Sequence, residues 1–279
     1  MKNPQAAIGV FDSGIGGVTV LCALAKKFPN ENFVYLGDTA RLPYGTKSSS
    51  TIRKYTEQNL KFLQAKGVKA MVIACNSASA QWDQAEFAGI PVFTVIAPAA
   101  RAATALSLDG KIGVLGTRAT VKSRAFELAL KKLNPEVEVF AQACPLLVPL
   151  AEEGWIDDPV TNLIAYRYLQ PLLGLGIDTL ILGCTHYPIL RSSLQKAMGA
   201  AVTLVDCGQA VAEDLGSALE HQGLASKATS NNPAQTSDQK IDFYCTDVSD
   251  AFNSLASNLL QREGLRFQNF EVADLQDLR

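Results

Sequence analysis

Cys75 and Cys184 each close a short apolar run and open a polar tail, Cys75-Asn76-Ser77 in one case and Cys184-Thr185-His186 in the other. A thiol acts as base or nucleophile only as the thiolate, and a nearby cation or helix N-terminus favours that form. His186, two residues past Cys184, supplies such a cation when protonated. Other apolar runs also end in polar residues: Asp12-Ser13, Asp38-Thr39 and Gly116-Thr117-Arg118. In open α/β sheets ligands bind beyond the carboxyl ends of strands, so these positions converge if the runs are parallel strands. Two thiols facing each other across a cleft suit inversion at carbon. One removes a proton from one face while the other delivers a proton to the opposite face, and the roles exchange in the reverse direction. No lysine sits in a setting that marks a pyridoxal Schiff base, so this chemistry is expected to need no cofactor.

The remaining cysteines, Cys22, Cys144, Cys207 and Cys245, read as small core residues. There is no CxxC pair, and His186 and His221 are the only imidazoles, which argues against a structural zinc site. No metal is expected. Ser13-Gly14-Ile15-Gly16-Gly17 lacks the Lys-Ser/Thr of a phosphate loop and misses the GxGxxG register. Its glycines are better suited to bring backbone N–H groups near a small carboxylate. Pro43-Tyr44-Gly45 signals a tight turn overhanging the sheet.

These residues need elements to hold them. Ile8–Phe11, Phe33–Leu36, Ala70–Ala74, Val92–Ile96, Ile112–Leu115, Thr179–Leu182, Val202–Val205 and Ile241–Tyr244 read as strands, most of them apolar throughout as if buried on both faces. Ser48–Lys66 reads as a helix with capping serines, an apolar face of Ile52, Thr56, Leu60 and Leu63, and a stop at Gly67. Val248–Gln261 places Val248, Phe252, Leu255 and Leu259 on one stripe. This alternation gives an α/β class with parallel sheets covered on both faces.

The chain also repeats itself. Gly67-Val-Lys-Ala-Met-Val-Ile-Ala-Cys75-Asn-Ser aligns with Gly176-Ile-Asp-Thr-Leu-Ile-Leu-Gly-Cys184-Thr-His, and Ile8-Gly-Val-Phe aligns with Ile112-Gly-Val-Leu. The expected fold is two doubly wound parallel-sheet domains about a pseudo-twofold axis, with the site in the cleft between them. Residues 1–97 with 209–279 form the first domain and 98–208 the second. Gly223–Lys240 is polar and reads as a surface loop, followed by one strand–helix unit that must dock on an existing sheet.

Composition narrows the partners. The 279 residues are 48% hydrophobic and 19% charged with a net charge of −2, a globular balance. Lysine and arginine form no block suited to a phosphate backbone, and no apolar run approaches membrane-spanning length. Neither nucleic acid nor membrane is expected as a partner. The N-terminal residues do not read as a signal peptide, so the expected location is cytoplasmic with reduced thiols.

Taken together, Ile8-Gly-Val-Phe-Asp-Ser-Gly-Ile-Gly-Gly17, Gly37-Asp-Thr-Ala-Arg-Leu-Pro-Tyr-Gly45, Cys75-Asn-Ser-Ala-Ser79, Cys144-Pro-Leu-Leu-Val-Pro-Leu-Ala-Glu-Glu-Gly154 and Gly183-Cys-Thr-His-Tyr-Pro188 resemble the bacterial glutamate racemases of the aspartate/glutamate racemase superfamily. The resemblance implies interconversion of L- and D-glutamate for peptidoglycan synthesis, and homodimers are found in that family. It matches Cys75 and Cys184 to the paired acid/base thiols. Asp12 and Ser13, Tyr44 and Gly45, Asn76 and Ser77, and Thr185 and His186 match the substrate-binding pairs. It also implies that Asp12 assists Cys75 and that Glu152 and His186 assist Cys184, with Glu153 an alternative to Glu152. Ser77 departs from the family's usual threonine, and the polar loop is longer than usual. The long N-terminal extension of members activated by a cell-wall precursor is not seen, so no such activation is expected. Two alternatives stay open: a racemase of aspartate or another small acid, and a non-catalytic binding protein.

Overall fold

The computed structural model describes residues 3–226, 239–248 and 250–275. Its strands are β1 (Ile8–Asp12), β2 (Phe33–Gly37), β3 (Ala70–Ile73), β4 (Glu86–Phe87), β5 (Ile90–Thr94), β6 (Lys111–Gly116), β7 (Glu138–Ala143), β8 (Thr179–Gly183), β9 (Thr203–Asp206), β10 (Ile241–Cys245) and β11 (Asn269–Val272). They form a seven-stranded sheet in the order β11-β10-β2-β1-β3-β5-β4 and a four-stranded sheet in the order β7-β6-β8-β9. The pairings are parallel except that of β4 with β5.

The repeat in the sequence is a repeat in topology. The order β2-β1-β3-β5 recurs as β7-β6-β8-β9. Even the register is kept: Ile8 pairs with Ala70 in the first sheet, and Ile112 pairs with Thr179 in the second. These four positions are those the sequence alignment matches. The ends of β3 and β8, with Cys75 and Cys184 just beyond, are therefore equivalent places in two copies of one design.

All five residues of β1, β2 and β8 are buried, in keeping with their unbroken apolar runs. The core joins the two sheets. Ile8, Val10 and Val72 belong to the same apolar cluster as Val114, Ile181 and Val205, with Ala99 and Ala103 of helix Ile96–Leu106 and Val211 and Leu215 of helix Cys207–His221. Fully burying a side chain such as Leu215 contributes about 1.5–3 kcal/mol, so these helices pack the two halves against each other. Helix Ser49–Ala65 starts as its sequence requires, with Thr51 N–H donating to Ser48 Oγ at 3.3 Å, and it buries Ile52, Thr56, Leu60 and Leu63.

Three strands are absent from the sequence reading, each with a physical reason. β7 and β11 are edge strands whose residues mix polar and apolar types and are largely half-buried or exposed. β4 is two residues long and turns back antiparallel through Ala88 and Gly89, both at positive φ, a tight hairpin turn at a position where alanine gives little warning. The last helix is Asp250–Arg262, so Val248 precedes it and stays 37% exposed, while Ala256 and Leu260 are buried in the core beside Leu255 and Leu259. The strand before it, β10, docks beside β2 on the first sheet as expected. Of the polar Gly223–Lys240 segment, residues 227–238 lie outside the described residues. Ser226 at its near end is bonded to Glu31, which pairs with Lys69 in a buried cluster.

Candidate active site

A tight cavity is lined by Ser13, Pro43, Gly45, Cys75, Asn76, Ser77, Thr117, Val148, Cys184, Thr185 and His186. Both thiols and most of the expected residues therefore meet in one place. Its volume of about 20 Å³ admits roughly one water molecule.

On the first side, Cys75 is buried where β3 gives way to the short helix Asn76–Ser79. Its Sγ–H donates to Ser13 Oγ at 3.6 Å. Burial pushes the thiol up to about 12, the Asp12 carboxylate pushes the same way, and bonds from Ser13 and the Ala78 N–H only partly oppose them. Asp12 accepts from the Gly14 N–H at 3.0 Å and from Thr185 Oγ1 at 3.2 Å. Burial raises its carboxyl above the ordinary range, against the pull of His186 and of the Gly14, Gly17 and Thr185 bonds. The glycine-rich turn thus turns its N–H groups on the protein's own carboxylate, Asp12, where the sequence suggested a small ligand.

On the second side, Cys184 Sγ lies 3.8 Å from His186 Nδ1, and His186 Nε2 lies 3.0 Å from Glu152 Oε1. Burial alone would pull the imidazole down, but the bonds to Cys184 and Glu152 outweigh it and raise His186 to about 10. Thiol, imidazole and carboxylate form a line in which His186 is charged at neutral pH. Glu153 is exposed at the end of its helix, so Glu152 is the carboxylate in this line.

Asn76 is 2% exposed, and both its Oδ1 and its Nδ2 lack a hydrogen-bond partner. A buried amide left unpaired costs about 1–3 kcal/mol, and such a group on a cavity wall is available to a ligand. Ser77 Oγ lies 2.9 Å from Thr117 Oγ1, across the cleft between the sheets. Gly45 makes that approach possible, because a Cβ there would sit 2.5 Å from Thr117 Cβ. A Cβ on Gly16 would sit 2.6 Å from His186 Nδ1, so the other side is closed in the same way.

Tyr44 is brought near but not into the cavity. Its hydroxyl donates to Asp38 and accepts from Asn59 Nδ2 at 3.0 Å, leaving its backbone as the part next to the cavity-lining Gly45. Asp38 likewise serves the turn: it also takes Arg41 Nε at 2.9 Å and Thr246 Oγ1 at 3.0 Å. Pro43, Thr117 and Val148 line the cavity without having been named as site residues. Thr117 carried a signal, a hydroxyl just past β6, whereas Val148 carried none.

All six cysteines are free thiols, and no group of three or more metal-ligating side chains occurs among the described residues. No helix among the described residues is long and apolar enough to cross a membrane.

The sequence profile of the Asp/Glu/Hydantoin racemases matches residues 19–215. A glutamate racemase of Geobacter metallireducens is 49% identical over 211 residues, covering 75% of this chain and 78% of its own. A glutamate racemase of Syntrophus aciditrophicus is 45% identical over 257 residues, covering 91% of this chain and 93% of its own. Among solved structures, glutamate racemase from Francisella tularensis in complex with D-glutamate superposes with a TM-score of 0.89 at 37% identity, covering 99% of this chain and 100% of that one. With two sheets of one design closing on a pair of thiols, and relatives at this identity along most of its length, the chain belongs to the Asp/Glu/Hydantoin racemase family.

Proposed function

We propose that this chain interconverts L- and D-glutamate without a cofactor, supplying D-glutamate for peptidoglycan. The observation that carries the reading is that Cys75 and Cys184, from equivalent positions of a repeated fold, line one cavity. In each turnover one cysteine, as thiolate, takes the α-proton and becomes a thiol. The electron pair left on Cα is delocalised into the carboxylate, and the other thiol returns a proton to the opposite face and becomes a thiolate. Glutamate has left as its mirror image, and the two sulfurs have exchanged states.

Asp12 modulates Cys75 through its charge, while His186, backed by Glu152, holds a positive charge beside Cys184. Asn76, with an unpaired amide, and Ser13, Ser77, Gly45 and Thr185 serve as substrate contacts; Tyr44 contributes through its backbone and by fixing the turn. The domains divide as 1–97 with 209–279 and 98–208, a division supported by the two sheets. The enzyme works in the cytoplasm as a homodimer, for which the exposed Leu163 and Tyr166 of helix Pro159–Leu169 offer apolar surface.

The test is exchange of the substrate α-proton with D₂O across a panel of L- and D-amino acids. Glutamate of both hands should exchange and interconvert without added pyridoxal phosphate, metal or nucleotide. Comparable turnover of aspartate would make the chain a broader acidic racemase, and no exchange with any amino acid would make it a binding protein.

A further inference from the structure

We propose that Thr19 is a positioning residue for the reaction: from the first half of the chain it fixes the main chain that carries His186 in the second. The inference rests on the amino-acid racemase reading above and adds a residue that lies outside the lining of the cavity.

A proline creates the need. After Cys184 the chain turns tightly, and carbonyls accept from the N–H three residues on. Cys184 O takes the Tyr187 N–H at 3.0 Å, and His186 O takes the Ile189 N–H at 3.1 Å. The carbonyl between them, that of the buried Thr185, has Pro188 in the third place, and proline has no N–H to give. Leaving such an acceptor unpaired costs about 1–3 kcal/mol.

The donor comes from the other half. Thr19 Oγ1 lies 3.0 Å from Thr185 O and 2.8 Å from Gly16 O. Carbonyl oxygens only accept, so the hydroxyl is the donor to both. The Gly16 bond is local to one turn, whereas the Thr185 bond spans 166 residues and joins the halves.

Thr19 is built to hold still. It sits in the first turn of helix Val18–Lys27, beside the buried Val18, Val20 and Leu21. That helix lies against helix Cys207–His221 so closely that a Cβ on Gly208 would meet Val20 Cα at 3.0 Å. The latter helix is in turn tied to the end of β9, where Asp206 Oδ1 accepts the Gly208 N–H at 2.7 Å. Thr19 is thus a post against which the turn after Cys184 is set.

The Thr185 carbonyl and the His186 N–H share one peptide plane, so holding the carbonyl sets the direction from which the imidazole projects. On that direction depend the 3.8 Å from His186 Nδ1 to Cys184 Sγ and the 3.0 Å from Nε2 to Glu152 Oε1. Asp12 also acts on the ring by its charge, and it accepts from Thr185 Oγ1. The first half therefore grips Thr185 twice, by main chain through Thr19 and by side chain through Asp12.

The chain has only two histidines, and His221 is exposed at the end of its helix, so the His186 ring can be followed in the whole protein by NMR. The bonds to Cys184 and Glu152 keep His186 charged up to about pH 10 against the pull of burial. Thr19→Val keeps the shape and removes the donor. His186 should then titrate about half a unit to one unit lower, the equivalent of one neutral hydrogen bond. The kcat for glutamate should fall about twofold to tenfold with KM nearly unchanged, because Thr19 does not line the cavity. Thr19→Ser should restore both readings. Adding Pro188→Ala to Thr19→Val gives the Thr185 carbonyl a local N–H and should bring the titration back, which a loss of packing at Thr19 could not do. An unmoved titration in Thr19→Val, a serine variant that behaves like valine, or no return in the double variant would overturn the assignment. Should Thr19→Val fail to fold, Thr19→Ala removes the same donor and is read in the same way. Wild-type α-proton exchange is measured alongside. Its presence with an unmoved titration sinks the role of Thr19 alone, and its absence sinks the racemase reading and with it any place for Thr19 in the reaction.

Discussion

Thr185 Oγ1 donates to Asp12 Oδ1 across 3.2 Å, so the polar tail that begins at Cys184 is bonded to the carboxylate that acts on Cys75. After burial, Asp12 is the main influence holding the Cys75 thiol protonated. The two halves are therefore joined at the level of charge as well as packing. Asp12→Asn keeps the shape and removes the charge, which should lower the Cys75 pKa. Iodoacetamide should then alkylate Cys75 severalfold faster at mildly alkaline pH than in wild type, read residue by residue by mass spectrometry. An unchanged or slower rate would mean that Asp12 does not govern this thiol.

His186 makes a second, pH-dependent statement. Its pKa in the folded protein, about 10, lies above its ordinary value of 6.5. A raised folded pKa contributes stability that is fully present below about pH 6.5 and is lost as pH rises through about 10. Cys75 and Cys144, raised to about 12 from 9.0, lose their contributions only at still higher pH. The urea midpoint should thus begin to fall between pH 6.5 and 9 because of His186. Glu152→Gln removes one of the bonds that raise His186, so the decline should be smaller and should end at lower pH. The same midpoint profile in both proteins would show that Glu152 does not support the imidazolium.

The cavity has room for about one water molecule, whereas glutamate has ten heavy atoms. The halves must part to admit substrate and close again around it. Gly45 governs that closure, since a Cβ there would meet Thr117 Cβ at 2.5 Å, inside any real contact distance. Gly45→Ala should therefore raise KM for glutamate about tenfold or more while leaving the urea midpoint nearly unchanged, because the clash arises only between the halves. A parallel loss of stability would place the effect within one half instead.

The sequence is most legible where one residue type has one physical meaning. Strands buried on both faces announce themselves as apolar runs, and the alignment of Cys75 with Cys184 carries the register of both sheets. Edge strands β7 and β11 are half-exposed and mix residue types, so nothing in their composition separates them from loops. The side chain of Tyr44 illustrates another limit. A turn sequence gives proximity to the site, but which way the ring points is decided by Asp38 and Asn59, partners outside the Pro43-Tyr44-Gly45 turn. Glu152 and Glu153 differ only in which faces His186, a matter of helix phase that adjacent glutamates cannot reveal.

The division of labour between the thiols can be separated from every structural role they have. Serine in place of either cysteine keeps the size and hydrogen-bonding capacity but is a far weaker acid. Cys75→Ser and Cys184→Ser should each lose racemisation in both directions, since inversion uses both sulfurs in every turnover. Elimination of a leaving group from a β-substituted glutamate analogue needs only one proton removed, so each variant should still process one enantiomer. By the family resemblance Cys75 serves the D-enantiomer and Cys184 the L-enantiomer. Cys184→Ser should therefore eliminate from the D-analogue and Cys75→Ser from the L-analogue. A misfolded protein would lose both reactions, and a cysteine of purely structural importance would lose neither selectively. Near wild-type racemisation by either variant would exclude the two-thiol mechanism. Both variants choosing the same enantiomer would mean that the sulfurs, though in one cavity, do not address opposite faces of the α-carbon.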